Sequence, residues 1–399
     1  MTNLIKNDKL IQNGGKVYKK GVFMKRFFKI AFLTLVMAIC AISAVACSAP
    51  AGGENASGLL YKKFKGDDFY TVYGYVQEEG VTEIDIGDYN KDGVVIGAIK
   101  AGAFKNNNTL KSVIVPDTVT EIGAGAFAGM QKLEEITLPF VGTSAVSDPS
   151  YNDQSSTEKA TDVKRTFCYV FGTEAFNYGI SVTQKYNSGE GTATYYLPMN
   201  LKTVNIMPKE DYAIPMFAFA QNNLVENVVL TEKVVGIGDS AFLGCTALKS
   251  VTGVVNVEII YENAFNGCSN YNVNLAEYTA LTEIKDGAFE SSGIKTVNLV
   301  TGVTYGDRVF KNSALTSVTV NCDKLTYAMF YGCKNLAEIK INVSSLLIKD
   351  YALDLQNDAK VCVIKIAGGE TAFNGANVVK GSMYKGISDE KTSLSIEEI

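Results

Sequence analysis

One dipeptide, Ala-Phe, returns at a nearly fixed spacing, and that spacing limits the fold more than any other feature of the chain. It stands at Ala103-Phe104, Ala126-Phe127, Ala175-Phe176, Ala218-Phe219, Ala241-Phe242, Ala264-Phe265, Ala288-Phe289 and Ala372-Phe373. Degraded copies stand at Val309-Phe310, Met329-Phe330 and Ala352-Leu353, and most neighbours are 20 to 24 residues apart. A second mark follows most copies, with apolar residues at Leu110/Val113/Val115, Leu133/Ile136/Leu138, Leu201/Val204/Ile206, Ile294/Val297/Leu299, Leu315/Val318/Val320 and Leu336/Ile339/Ile341. A unit this small cannot enclose a core, so its apolar side chains must be covered by the copies before and after it. The alternation at the end of each second mark predicts a short strand. Equivalent strands then pair in parallel from coil to coil, and the phenylalanines pile into one continuous column. A shorter apolar step ahead of several Ala-Phe pairs (Val119–Ile122, Val234–Ile237, Leu281–Ile284) predicts a second small strand per coil.

The copies Ile122–Phe127 (IGAGAF), Ala241–Cys245 (AFLGC), Ala264–Cys268 (AFNGC) and Leu133–Pro139 (LEEITLP) closely resemble the BspA-type leucine-rich repeats of bacterial surface proteins. The resemblance runs from about Tyr61 to about Gly375. It implies a curved, β-rich leucine-rich-repeat solenoid with a parallel strand ladder of about ten coils. It also implies export, display outside the cell and a role in binding. The pattern departs from the family in two inserts and in the last copies.

The chain divides accordingly. Residues 59–100 are aromatic-rich and strand-like and read as an N-terminal cap, which a solenoid needs. Residues 101–375 are the repeats, and 376–399 read as a C-terminal cap and tail. Phe127 and Phe176 are 49 residues apart, and Phe176 and Phe219 are 43 apart. The first gap holds a polar loop, about 141–166. The second holds a hairpin, about 177–197, in which Ser181–Tyr186 and Thr192–Leu197 flank a Gly-rich turn. Insertions in repeat proteins collect on one face, often the binding face; shielding of a sheet edge is the other reading.

The N-terminal segment carries an address. Met1 to Phe23 is polar and basic and reads as lying upstream of the true start at Met24. Residues 24–46 have Lys25, Arg26 and Lys29, then an apolar run, then small residues, the pattern of a secretory signal peptide. Ala44-Val45-Ala46-Cys47 resembles a bacterial lipobox, which implies that Cys47 is lipidated and becomes the mature N-terminus. Cleavage near Ala46 without lipidation, or a retained span, are the alternatives. Residues 47–58 (CSAPAGGENASG) form a small, flexible tether.

Composition narrows the function. The 37 basic and 42 acidic residues give a net charge of −5, which argues against nucleic acid as a partner. There is no histidine, so the usual catalytic base and commonest metal ligand are missing. Cys245, Cys268 and Cys333 share one repeat position with Met130 and Ser292, which marks core filler rather than a zinc site. Asp88-Tyr-Asn90-Lys-Asp92-Gly93 opens like a calcium loop, but Ile99 stands where the twelfth-position Glu belongs, so it reads as a turn. Carboxylates are scattered, with no G-x-S-x-G elbow and no phosphate loop. The expectation is no enzyme, no cofactor and no metal.

Small uncharged residues fill the outward row of the strands: Thr203, Asn205, Asn227, Ser250, Thr252, Asn272, Asn274, Thr296 and Asn298. Such a row can hydrogen-bond a peptide strand or a sugar chain; it also suits a merely solvated sheet face. The expected function is that of a non-catalytic cell-surface binding or adhesion protein. Its partner is an extracellular protein or cell-surface macromolecule met through the sheet face, the inserts or both, and its only membrane contact is a lipid anchor. The alternative is a surface glycan-binding protein with Tyr195 and Tyr196 as stacking residues.

Overall fold

The computed structural model describes residues 10–13, 16–19, 58–145, 163–186, 191–357, 361–366, 372–373, 376–377 and 393–398. The proposed start, the signal segment, Cys47 and all of the tether except Gly58 lie outside the described residues. Met1–Ala49 forms a unit of its own, in which Leu10–Asn13 pairs antiparallel with Lys16–Lys19.

In the second unit, Pro50–Ile399, the repeat winds into a β-solenoid of about 12 parallel coils. The L-x-x-V-x-L marks form the rungs. Glu83–Asp85, Ser112–Ile114, Glu135–Leu138, Thr203–Ile206, Asn227–Leu230 and Ser250–Thr252 make one parallel sheet. Thr296–Leu299, Ser317–Val320, Glu338–Ile341, Val361–Ile366 and Ser393–Glu398 make a second. The coil between them passes through Asn272–Asn274 without forming a strand and enters a 3-10 turn at Leu275–Glu277. The count exceeds the expected ten because rungs also form at both ends, at Glu83–Asp85 and Ser393–Glu398. The short apolar steps form the expected second strands, including Glu121–Ile122, Val234–Ile237 and Glu283–Ile284. No α-helix occurs among the described residues, and none of their helices is long and apolar enough to cross a membrane. Ahead of the first rung, Gly58–Lys63 runs antiparallel to Tyr70–Val76, which pairs in parallel with Ile96–Ile99.

Register brings equivalent side chains together. Val204 lies between Ile136 and Val228, and Ile339 between Val318 and Ile364. The inward residues therefore merge into one long core. Beneath them runs the phenylalanine column. Ring centroids are 5.0 Å apart for Phe219–Phe242, 5.1 Å for Phe242–Phe265, 5.3 Å for Phe265–Phe289, and 5.9 Å for both Phe289–Phe310 and Phe310–Phe330. Their planes lie within 14° of parallel. Parallel strands repeat at about 4.8 Å, so the ladder sets this stacking distance.

The turns that carry the rings are themselves hydrogen-bonded. Each Phe amide donates to the carbonyl of the residue before the next coil's Phe: Phe104 to Ala126, Phe242 to Ala264 and Phe265 to Ala288, each at 2.8 Å. The amides two residues before and after donate likewise, as Phe217 to Asp239 (3.0 Å) and Gln221 to Leu243 (2.7 Å). These flanking positions take left-handed φ, such as 52° at Ser240 and 69° at Gly244, or 52° at Asn263 and 77° at Gly267. Gly, Asn and Ser at these points are thus a backbone requirement.

The shared cysteine position is more specific than core filler. Three residues after the ring, the buried thiols of Cys245, Cys268 and Cys333 donate to the carbonyls of Phe219, Phe242 and Phe310 in the preceding coil, at 3.1, 3.0 and 3.0 Å. All six described cysteines are free and buried. In the expected calcium-loop turn, Asn90 is spent internally: its Oδ1 accepts from the Ile96 amide and its Nδ2 donates to Thr118.

One sequence assignment needs correction. Ala175 is exposed and Phe176 only half-buried, so this pair is not a repeat copy. Phe171 and Phe167 fill the column there instead. Phe171 lies 6.2 Å from Phe127, Phe167 lies 5.2 Å from Phe171, and Phe219 lies 4.9 Å from Phe167.

Two outcomes follow. Phe265→Ala should lower stability in urea by about 3–5 kcal/mol, the cost of emptying a packed aromatic site. Phe176→Ala should cost less than about 1 kcal/mol. Burial also raises acid groups: Cys333 to about 11, and Cys362, Tyr75 and Tyr305 to about 12. In the unfolded chain such thiols and phenols titrate near roughly 8.5 and 10. The folded state holds these protons longer, so their stabilisation is complete below about pH 8 and falls as pH rises from about 9 to 12. Melting temperatures recorded from pH 6 to 11 should stay flat and then drop on the alkaline side.

Candidate functional site

Two regions present groups that a partner can use: the outward face of the rungs and the coil that carries the inserts. On the rung face, register aligns Thr203, Asn227 and Ser250 in one line and Thr296, Ser317 and Glu338 in another. The two halves of the face differ. In the first half the polar groups satisfy each other. Asn205, only 6% exposed, donates to Glu135 Oε1 at 2.6 Å and Thr137 Oγ1 at 2.9 Å. Ser250 Oγ donates to Asn227 Oδ1 at 2.8 Å, and Thr203, Asn227 and Ser250 are half-buried. Asn205 is therefore a strut between rungs and not the ligand-facing group expected from the sequence. Beside this half, Lys111–Glu134 (2.8 Å), Lys202–Glu226 (3.3 Å) and Lys249–Glu226 (2.5 Å) form a ladder of opposite charges. Lys249 foremost, then Lys202, holds the Glu226 carboxyl below its usual range.

The second half is open. Thr252, Asn272, Asn274, Thr296 and Asn298 are exposed, and they bracket the coil where the ladder is interrupted. At the break Asn272 Oδ1 accepts from the Lys295 amide at 3.0 Å, standing in for a strand carbonyl. Asn274 Oδ1 accepts from Ala276, closing the 3-10 turn. Further along, Asn342 donates to Asn321 at 2.8 Å, and Asn321 donates to Asn298.

Both inserts belong to a single coil, because the Glu135–Leu138 and Thr203–Ile206 rungs pair directly. The predicted hairpin is present, with Gly179–Tyr186 antiparallel to Gly191–Pro198. The coil's turn is the 3-10 segment Phe167–Phe171, which serves two column positions. Phe127 donates to Val170 at 2.9 Å on one side, and Phe167 donates to Ala218 at 2.8 Å on the other. Toward the next coil a side chain supplements the Phe167 amide. Gln184, fully buried, donates through Nε2 to Phe217 O (3.1 Å) and Ala218 O (2.6 Å), while its Oε1 accepts from the Cys168 amide (3.0 Å). Three bonds from one glutamine fasten the hairpin to the solenoid. The signal in the sequence is a polar residue in phase with Val182 on the inward face of the strand.

Tyr195 corrects a second expectation. It is 2% exposed, with its ring 6.4 Å from Tyr169, so it offers no open stacking platform. Burial pushes its phenol up to about 12, and a hydrogen bond to Thr166 partly offsets this. Tyr196 is half-buried, and its amide donates to Gly172 O at 3.1 Å. Beneath the hairpin, on the outer side of the turns, lies a cavity of about 520 Å³ walled by Tyr169 and Tyr195. The ion pair Lys105–Glu174, 2.8 Å, also lines it. No cluster of histidine, cysteine or carboxylate side chains that could hold a metal occurs among the described residues.

A parallel ladder of short rungs, stacked phenylalanines and polar outward rows defines a leucine-rich-repeat solenoid. The BspA type leucine rich repeat region matches this chain in 6 copies, over residues 97–210, 212–337 and 306–367, and the chain belongs to that family. A search of curated proteins finds no match. Among solved structures, a leucine-rich repeat protein from Bacteroides ovatus is 18% identical, covers 86% of this chain and 89% of its own, and has a TM-score of 0.40. A leucine-rich cell surface protein from Faecalibacterium prausnitzii is 17% identical over 88% of this chain and 96% of its own, with a TM-score of 0.28. The pneumococcal vaccine antigen PcpA is 13% identical over 77% and 73%, with a TM-score of 0.26.

Gln184→Leu strands the buried Cys168 amide, worth about 1–3 kcal/mol when unpaired, and removes the second bond to Phe217 O and Ala218 O, which keep the Ala220 and Phe167 amides. Stability should fall by about 1–3 kcal/mol. Amide exchange should speed up across Gly179–Pro198 and Phe167–Phe171, while the Phe265 and Phe289 coils keep their protection.

Proposed function

We propose that this chain is a non-catalytic, lipid-anchored surface protein that captures a macromolecular partner, a protein of the extracellular space or of another cell's surface. The observation that carries the reading is the solvent exposure of the run Thr252, Asn272, Asn274, Thr296 and Asn298, beside Thr203, Asn205, Asn227 and Ser250, which are buried or half-buried. These groups are uncharged, carry both donors and acceptors, and extend along successive coils for about 10 Å. That suits hydrogen bonding to the backbone of an extended segment. The interrupted ladder leaves this part of the sheet face less regular than its neighbours. The docked hairpin adds a second, rigid contact surface, which lowers the ordering cost of binding.

Membership of the BspA-type family supports a binding role over turnover. Lipidation at Cys47 would hold the solenoid outside the membrane. Two or more acyl chains give a stable anchor where one does not.

Two measurements test these parts separately. Capture of extracellular proteins on cells displaying the full chain should fall about tenfold or more in Thr296→Arg/Asn298→Arg, a loss of about 1.4 kcal/mol per decade, with the melting temperature unchanged. Undiminished capture would remove the open half of the rung face from the site. Metabolic labelling with a radioactive fatty acid should mark the native chain and not Cys47→Ser; an unlabelled native chain would rule out the anchor.

A further inference from the structure

The cavity under the hairpin is not a defect of packing, because the sequence clears room for it. Its floor is made by residues three and two positions before the column phenylalanine: Ala101-Gly102 in one coil and Ala124-Gly125 in the next. In the later coils the same positions hold Asp239-Ser240, Glu262-Asn263, Asp286-Gly287, Asp307-Arg308, Tyr327-Ala328 and Asp350-Tyr351. At the first of these positions the two coils facing the insert carry only a methyl where later coils carry Asp, Glu or Tyr; the glycines at the second follow from the left-handed φ there, 68° at Gly102 and 59° at Gly125. Gly172 closes the far side so tightly that a Cβ there would come within 3.3 Å of Gly125 Cα.

The walls and lining then define the chemistry. Tyr169 and Tyr195 meet edge to face at 66°; Tyr195 is buried and backs the wall, so the ring surface left to a ligand belongs to the half-buried Tyr169. Lys105 and Glu174 form a pair whose side chains keep 42% and 72% of their exposure, so both charges still reach solvent. The pair is neutral overall. A charged ligand would meet a like charge at one member or have to separate the two. Adjacent hydroxyls on an uncharged ring face neither cost: one accepts from the Lys105 ammonium while its neighbour donates to the Glu174 carboxylate. The volume of about 520 Å³ falls within the roughly 300–1,000 Å³ of small-ligand sites.

We infer that this cavity binds a pyranose unit of a neutral glycan, with the half-buried Tyr169 against its carbon face and the Lys105–Glu174 pair on two adjacent hydroxyls. This site is separate from the rung face and does not depend on the partner proposed for it. It assigns the hairpin a ligand of its own.

The test is calorimetric titration of the full chain with neutral methyl pyranosides and short neutral oligosaccharides, with free amino acids as a zwitterionic comparison. At least one neutral saccharide should bind. Ala124→Leu, at an exposed turn position, fills the floor, and Glu174→Gln removes the acceptor charge from a surface side chain. Each should weaken binding about tenfold or more without moving the melting temperature, while Thr296→Arg/Asn298→Arg leaves it intact. If Ala124→Leu proves unstable, Glu174→Gln decides alone. The inference is overturned if no neutral saccharide binds, if binding survives Glu174→Gln, or if only the zwitterions bind. Loss of saccharide binding in the rung-face variant would also overturn it, by moving the sugar to the other site.

Discussion

The backbone hydrogen bonds that link one Ala-Phe turn to the next are the constraint on which the rest depends. They fix neighbouring coils at the spacing of a parallel ladder, and at that spacing phenylalanine rings have no choice but to stack. Stacked, offset aromatic pairs add about 0.5–1.5 kcal/mol each beyond their burial. The left-handed residues on either side of each ring aim the three amide donors at the next coil. Where the chain uses Arg308, Ala328 or Tyr351 at such a position, with φ of 56°, 51° and 59°, it accepts backbone strain to keep those bonds. The thiols of Cys245, Cys268 and Cys333 add a fourth tie from the same turn.

The insert coil shows what happens when this rule is stretched. Roughly three times the usual length of chain separates the Glu135–Leu138 and Thr203–Ile206 rungs, yet the rungs still pair. The column is kept continuous by two rings, Phe167 and Phe171, on one short 3-10 turn. Gln184 adds side-chain bonds to the next turn, at Phe217 and Ala218. The hairpin is thus held by buried hydrogen bonds rather than by apolar area alone, and such bonds are costly to break. A rigid hairpin over a floor of Ala and Gly leaves a cavity, and a flexible loop there would not.

Much of the architecture was legible in the sequence because it repeats. The rungs at Leu133–Leu138 or Ile294–Leu299, the second strands at Val234–Ile237 and Glu283–Ile284, and the column from Phe219 to Phe330 follow from spacing alone, since any other fold leaves each unit's apolar face uncovered. The hairpin also showed itself, through alternation around a Gly-rich turn. Ala175-Phe176 misled because a dipeptide is a weak mark once the interval is lost, and the gap of 49 residues had already removed the register that gave the mark its meaning.

What the sequence determined by itself is the solenoid, because periodic burial admits few other solutions, and the absence of histidine chemistry, because composition is not a matter of folding. Which outward groups are free was decided only in three dimensions. Asn205 and Asn298 look alike in the repeat, but the first faces Glu135 and Thr137 across a rung while the second reaches solvent. Tyr195 looked like a platform and is a wall, because the hairpin folds inward on Gln184. These differences arise from contacts between residues as far as 70 positions apart, as Asn205 and Glu135 are, and no local pattern carries them.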